Sequence, residues 1–340
     1  MKKRTKEFAT ILQTNKKVIS RFYYKYIFLI IILSCIFLGI LFYRLDAHIV
    51  LFGDTPSALG EYVKTVATVL GGALVLLGLW INNRRVAEQI RQNNISEKAQ
   101  LNTRFKDAAT LLGSENVSSI LSGIYALNQI ALEASIGDKR QRGYVNIVHD
   151  ILCAYVRENT DTITNQENGK AWRVNKKPAI VIQTVMKVLF KNDGFIYSNL
   201  NTDLSDCVIE DVILDEAYMV NVDFSRTKFI RATMKNATLI SCFLTDSFID
   251  DVKFESSVFK KVIFDCSHIR NTSFVDSQMQ DCDFWDVILS DVNMTGVHFV
   301  NADFKDAVFE KNVVLKNTLL EDCTNDEIVK NAKELTKAKL

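Results

Sequence analysis

Residues 222–266 read VDFSR TKFIR ATMKN ATLIS CFLTD SFIDD VKFES SVFKK VIFDC, nine units of five in which the first residue is small or β-branched and the third is large and apolar. The frame extends in both directions. From Leu204 to Phe309, 22 consecutive positions spaced by five are all large and apolar, and the residue two before each, Thr202 to Ala307, is small or β-branched. A chain that is 48% apolar does not produce such a run by chance. A period of five matches neither the strand repeat of 2 nor the helix repeat of 3.6. A fixed short period calls for a solenoid. Four units close one square turn of about 20 residues, with turns stacked about 4.8 Å apart. Large side chains then point inward from four sides, and Phe224, Leu244, Phe264, Phe284 and Phe304 stack as one internal column. The intervening residues are small because a bulky group near the axis would overpack it. Val314 and Leu319 read as a weaker continuation of the frame, with Asn312 and Asn317, at positions that want small residues, loosening the last turn.

The chain before the repeats has a different character. Residues 1–25 carry eight Lys or Arg against the single acid Glu7. Residues 26–43, YIFLIIILSCIFLGILFY, hold no charge over 18 positions and are flanked by aromatic residues, as a membrane span requires. No small-residue cleavage site follows, so an uncleaved anchor is expected rather than a signal peptide. After a turn-rich loop with Gly53, Pro56 and Gly60, a second span is read over 62–81, with Lys64 near one end and Trp80 at the far interface. Ala67 and Gly71, like Thr68 and Gly72, place small residues on one helix face, which permits close helix pairing within the hairpin or between copies. Lys and Arg are abundant before the first span and again at Arg84, Arg85 and Arg91, while the intervening loop has Arg44 alone. The positive-inside rule therefore puts both termini in the cytoplasm.

Residues 82–113 continue as a helix, and three further helices are expected over 117–134, 140–158 and 178–191, with Pro178 opening the last. The polar stretch 159–170 separates the last two as loop. After Leu319 the period changes again. Thr324 to Glu327 has capping-box spacing, and Ile328, Ala332 and Leu335 share a helical face, so residues 323–340 are expected to form a helix that caps the solenoid. The organisation is thus a basic segment (1–25), a two-span hairpin (26–81), a helical linker and domain (82–197), the repeats (198–322) and the cap (323–340).

Charge is divided unevenly. Residues 198–322 contain 22 acids against 11 bases, a net of −11, whereas the rest of the chain has 18 acids against 30 bases. The acids occupy outward positions read as spread over several faces. The seven cysteines include no CxxC pair, and Cys207, Cys242 and Cys282 fall at small-residue positions of the frame, where they serve as small buried groups. His48, His149, His268 and His298 do not converge with Cys or carboxylates, and no Walker loop, GxGxxG or GxSxG is present. No catalytic residue, cofactor or metal site is expected. The departures from regularity are Phe243 and Ile263, which take the same outward position one turn apart, and Trp285 on the same side in the next turn. Asp stands at the equivalent positions 223 and 283. Three adjacent apolar residues on a polar surface suggest a contact for a protein partner, another subunit or the helical domain.

Residues 198–320 resemble the pentapeptide-repeat family, whose A(D/N)LXX unit is nearly intact at Asn301-Ala302-Asp303-Phe304-Lys305. The resemblance implies a right-handed quadrilateral β-helix. The preceding region is similar to a bacterial subgroup of membrane-anchored pentapeptide-repeat proteins, through GIYALNQIA (123–131), VHDILCAYVRE (148–158) and VIQTVMKVL (181–189). It departs at Asn128 and Gln129, where the subgroup has charges, and in a longer loop over 159–177. The match implies a non-enzymatic scaffold on the bacterial inner membrane, with partners limited to the lipid bilayer, an unidentified protein and a second copy. Two alternatives stand beside it. One is a membrane effector of a stress or phage-defence response, in which the repeats sense and the spans perturb the bilayer. The other is DNA mimicry against a topoisomerase, as in one branch of the family.

Overall fold

A computed structural model describes residues 33–34, 36–46, 49–50, 53, 55–136, 142–164, 171–191 and 195–324. The basic segment 1–25, residues 26–32 and 35 of the first expected span, and residues 325–340 of the cap helix expected over 323–340 lie outside them. The chain divides into two compact units, Met1–Lys98 and Ala99–Leu340.

In the first unit, residues 36–44 are helical and lie beside the helix α1 (Pro56–Leu112). The Tyr62 hydroxyl donates to the Gly39 carbonyl. The second apolar helix starts earlier than the sequence suggests. Pro56 opens it and Gly60 lies inside it, leaving Gly53, at φ +88°, as the loop's turn residue. Pro at a first helical position gives up no hydrogen bond. α1 is long and apolar enough to cross a membrane, and none of its most apolar 18-residue window is buried.

In the second unit, the last turns of α1 pack with α2 (Val117–Ile136), α3 (Gly143–Glu158) and α4 (Ala179–Phe190). Gly123 is where α2 crosses α1, since a Cβ there would sit 2.6 Å from the Leu112 nitrogen and 2.9 Å from the Ala108 carbonyl. Arg104 forms a two-pronged pair with Glu133 at 2.7 and 3.0 Å. Pro178 precedes α4 as its N-cap instead of serving as its first residue. The stretch read as loop after α3 contains an antiparallel hairpin, β1 (Thr160–Thr164) with β2 (Ala171–Asn175). Its residues Thr162, Ile163, Thr164 and Val174 suit a pleated ribbon, a preference masked by the polar composition around them.

The repeats form a four-sided β-solenoid of six turns. Face I is the ladder 203–223–243–263–283–303–324. Face II is a six-stranded parallel sheet from Val208–Glu210 to Val308–Phe309, and face III is the ladder 213–233–253–273–293–314. Face IV is a second six-stranded sheet, from Tyr218–Val220 to Leu319–Glu321. Phe264 and Phe284 stack with centroids 4.8 Å apart, and Phe284 stacks on Phe304 at 5.1 Å. Several small interior hydroxyls donate to main-chain carbonyls of the turn below, as from Ser257 to Met234 and Ser277 to Phe254, while those of Ser247 and Ser267 are buried without a partner among the described residues.

The corners explain the exposed composition. Every fifth residue from Asp206 to Asp306 has positive φ, as do Asn312, Asn317 and Asp322. Of these 24 corners, 16 are Asp or Asn, the non-glycine residues that tolerate the left-handed region best. The frame itself slips once. After Phe309 the ladders step by 21 instead of 20, joining Asn293 to Val314 and His298 to Leu319. Leu315 is therefore buried, while Leu319 is 57% exposed. Asn312 and Asn317 are regular left-handed corners of the shifted frame, so the last turn is displaced by one residue and not loosened.

The first turn is closed by the helical elements. Gln183 mimics a missing strand, accepting from the Ile213 N–H and donating to the Ile213 carbonyl at 2.9 Å. Thr160 accepts from the Val208 N–H at 3.2 Å. Phe190 continues the core against Phe224, with centroids 6.3 Å apart. An open solenoid end would otherwise expose unpaired backbone and apolar core.

Candidate functional surface

Outward residues on this scaffold are sorted by position within the turn. Phe243 and Ile263 are direct ladder neighbours on face I, and Trp285 stands one turn above Ile263 on the same face. Phe243 and Trp285 are 44% and 45% exposed, while Ile263 is half-buried. Trp285 is anchored at both polar ends. Its main-chain N–H donates to Asp265 at 3.1 Å and its indole N–H to Asp306 at 3.2 Å. Such an arrangement fixes the ring while leaving its face open.

The acids stand on all four faces, as expected, but they are densest around these side chains. Face I and its corner hold Asp203, Asp206, Asp223, Asp246, Asp265, Asp283, Asp286, Asp303 and Asp306 against Arg226 and Lys305, a net of −7. The other three faces together carry 13 acids against nine bases, a net of −4. On those faces several acids are bridged between turns, by Arg231 to Asp211 and Glu210, Arg270 to Asp250, and Lys235 to Glu255. On face I, Asp203 pairs with Arg157 and Asp206 with Arg226. Asp223 and Asp246 feel the charge of Arg226, and among the described residues Asp265, Asp283, Asp286, Asp303 and Asp306 form no ion pair. Burial, followed by the neighbouring charge of Asp303, pushes the Asp283 carboxyl above the usual carboxylate range. Burial likewise raises Asp265, where the Trp285 N–H opposes the shift and Asp283 and Asp303 add to it. The sequence contained the signal, because summing charge at each position of a 20-residue turn isolates this column.

Below Phe243, a cleft of about 510 Å³ is lined by Asn201, Thr202, Asp203, Asn221, Asp223 and Phe243. Its floor meets the helical elements. Thr202 hydrogen-bonds the buried His149 at 2.9 Å, and Cys153 approaches the same ring nitrogen at 3.6 Å. Desolvation lowers the His149 pKa, and it pushes the Cys153 thiol up to about 12. Both are therefore neutral joints between α3 and the first turn, and Cys153 has no thiolate character for nucleophilic chemistry. Cys242 and Cys282, pushed up by burial to about 11 and about 12, are inert small groups of the interior. His268 and His298 lie on faces II and IV. No group of three or more His, Cys, Asp or Glu with metal-binding geometry occurs among the described residues.

Residues 202–239 and 277–317 match the family model for pentapeptide repeats, in 8 copies. No curated protein matches the chain. Among solved structures, HetL from the cyanobacterium Nostoc sp., a pentapeptide repeat protein involved in heterocyst differentiation regulation, is 11% identical over 36% of this chain and 73% of its own, with a TM-score of 0.20. A trypsin-treated variant of QnrB1, a plasmid-mediated fluoroquinolone resistance protein, is 14% identical over 40% of this chain and 83% of its own, with a TM-score of 0.21. A pentapeptide repeat protein of the Arabidopsis thaliana thylakoid lumen is 14% identical over 32% of this chain and 70% of its own, with a TM-score of 0.18.

Proposed function

We propose that this chain, whose repeats match the pentapeptide-repeat model, is a non-enzymatic scaffold, anchored in the bacterial inner membrane, that offers its solenoid to a protein partner in the cytoplasm. One observation carries the reading. Two large apolar side chains, Phe243 and Trp285, stay exposed together on face I, whereas the solenoid's other exposed large apolar residues, Ile213, Val258, Val308 and Leu319, stand apart on the other three faces. Neither contributes to the interior, so their presence serves contact with another molecule. The anchor rests on the uncovered apolar stretch of α1 and the apolar segment beside it, which water would not tolerate. The base-rich flanks favour a hairpin with both termini inside.

The test uses membranes from cells expressing the full chain. The protein should resist carbonate extraction, and cross-linking should capture a partner that is lost in the Phe243→Ser/Trp285→Ser double variant while circular dichroism stays unchanged. Extraction by carbonate would end the anchor. Undiminished cross-linking in the double variant would end the assignment of the contact surface.

A further inference from the structure

We propose that face I receives a lysine- and arginine-rich amphipathic helix of the partner, laid along the stacking axis with one apolar residue per helical turn against Phe243, Ile263 and Trp285. This deepens the scaffold reading and rests on it. Three features of the face select that occupant.

Charge is the first. Asp283 and Asp303 occupy successive rungs of one ladder, and Asp246, Asp286 and Asp306 occupy the neighbouring corner. Carboxylates on adjacent rungs repel one another, and a row of cations relieves several of them at once. On the other faces no equivalent position carries acids on adjacent rungs, and Arg231 and Arg270 reach down one turn to Asp211 and Asp250. Face I omits those partners where the apolar residues stand. A second copy using the same face would set −7 against −7, so this surface does not pair with itself.

Spacing is the second. Rungs recur about every 4.8 Å, and an α-helix advances about 5.4 Å per turn. Residues at i, i+4 and i+7 of a helix therefore reach three successive rungs with little drift. An extended segment advances about 6.7 Å per pair of residues and falls out of step within two rungs.

The third is placement. The apolar residues occupy consecutive turns in the middle of the face, with Asp203 and Asp223 before them and Asp303 and Asp306 after them. This is the layout of an amphipathic helix site, apolar at the centre and charged at the rim.

The experiment uses the full chain in neutral-lipid nanodiscs, with empty nanodiscs as reference. The probe is a fluorescein-labelled helix of about 18 residues, leucine on one face and lysine elsewhere, followed by anisotropy. Binding is expected to weaken at least about tenfold as salt rises from about 50 to 300 mM. It should weaken about tenfold or more in Phe243→Ser/Trp285→Ser and, separately, in Asp283→Asn/Asp303→Asn, which leaves the interior untouched. Asp251→Asn and Glu216→Gln, on other faces, should change nothing. Equal loss in those controls, equal binding of a peptide with leucine replaced by serine, or no binding at all would overturn the proposal. If the peptide fails while cross-linking on membranes still depends on Phe243 and Trp285, the basic-helix assignment falls and the scaffold reading stands.

Discussion

Phe284 sits at the middle of the internal aromatic column, and its truncation sets the energetic scale of the solenoid. The side chain is fully buried. It stacks on Phe264 at 4.8 Å and 6°, and on Phe304 at 5.1 Å and 11°, with Phe299 edge-on at 5.9 Å. Phe→Ala in a core costs about 3–5 kcal/mol, depending on how far the site collapses. Here the rungs above and below are tied by main-chain ladders, including Phe284 N–H to the Asp303 carbonyl at 2.7 Å, so collapse is restricted. The loss should approach about 5 kcal/mol. Phe284→Leu keeps most of the apolar volume and forfeits chiefly the two stacked pairs, at about 0.5–1.5 kcal/mol each, or about 1–3 kcal/mol in all. Guanidinium unfolding of the full chain in detergent, followed by circular dichroism, measures both. Because repeats interact mainly with neighbours, the alanine variant should also melt its C-terminal turns first. A cost below about 1 kcal/mol for Phe284→Ala, or equal costs for the two variants, would refute the column as a principal source of stability.

Three further outcomes follow from the geometry. Lys261 holds a left-handed corner at φ 54° without an ion pair among the described residues, so Lys261→Gly should stabilise by about 0.5–1 kcal/mol, and Asp246→Val, at φ 56°, should destabilise by about 1–2 kcal/mol, both read from thermal melts. Gly123→Ala forces a methyl against the α1 backbone, and should lower stability by about 1–3 kcal/mol while leaving the strand signal of the solenoid in place. Burial holds the His149 pKa below its ordinary 6.5, partly opposed by Asp150, so the folded state binds fewer protons than the unfolded one. Stability is then flat above about pH 6.5 and falls as pH drops below it; His149→Gln should remove that decline in denaturation midpoints measured from pH 7 downward.

Much of the fold was legible because inward or outward placement in a pentapeptide unit is a local property. Phe224, Phe264 and Phe284 declare themselves by period alone, and so does the smallness of Val222, Val262 and Cys282. The end of the solenoid was harder. Val314 and Leu315 are both apolar, as are Leu319 and Leu320, so two frames fit equally well. Only the carbonyls that accept along the ladder separate them, although Asn312 and Asn317 already stood at the spacing of left-handed corners. The hairpin Thr160–Asn175 and the Gln183 contact to Ile213 were invisible because each depends on a partner distant in sequence.

The apolar trio Phe243, Ile263 and Trp285 was found by departure from the repeat, but its acidic setting was not. A net of −11 over the repeats is a sum, and a sum has no direction. The sequence by itself determined the solenoid, its interior and its exceptions, since five-residue spacing dictates which side chains meet. The tertiary structure alone decided where the frame slips, which acids are bridged and which stand unpaired, because those relations exist only after each turn closes and the next is laid upon it.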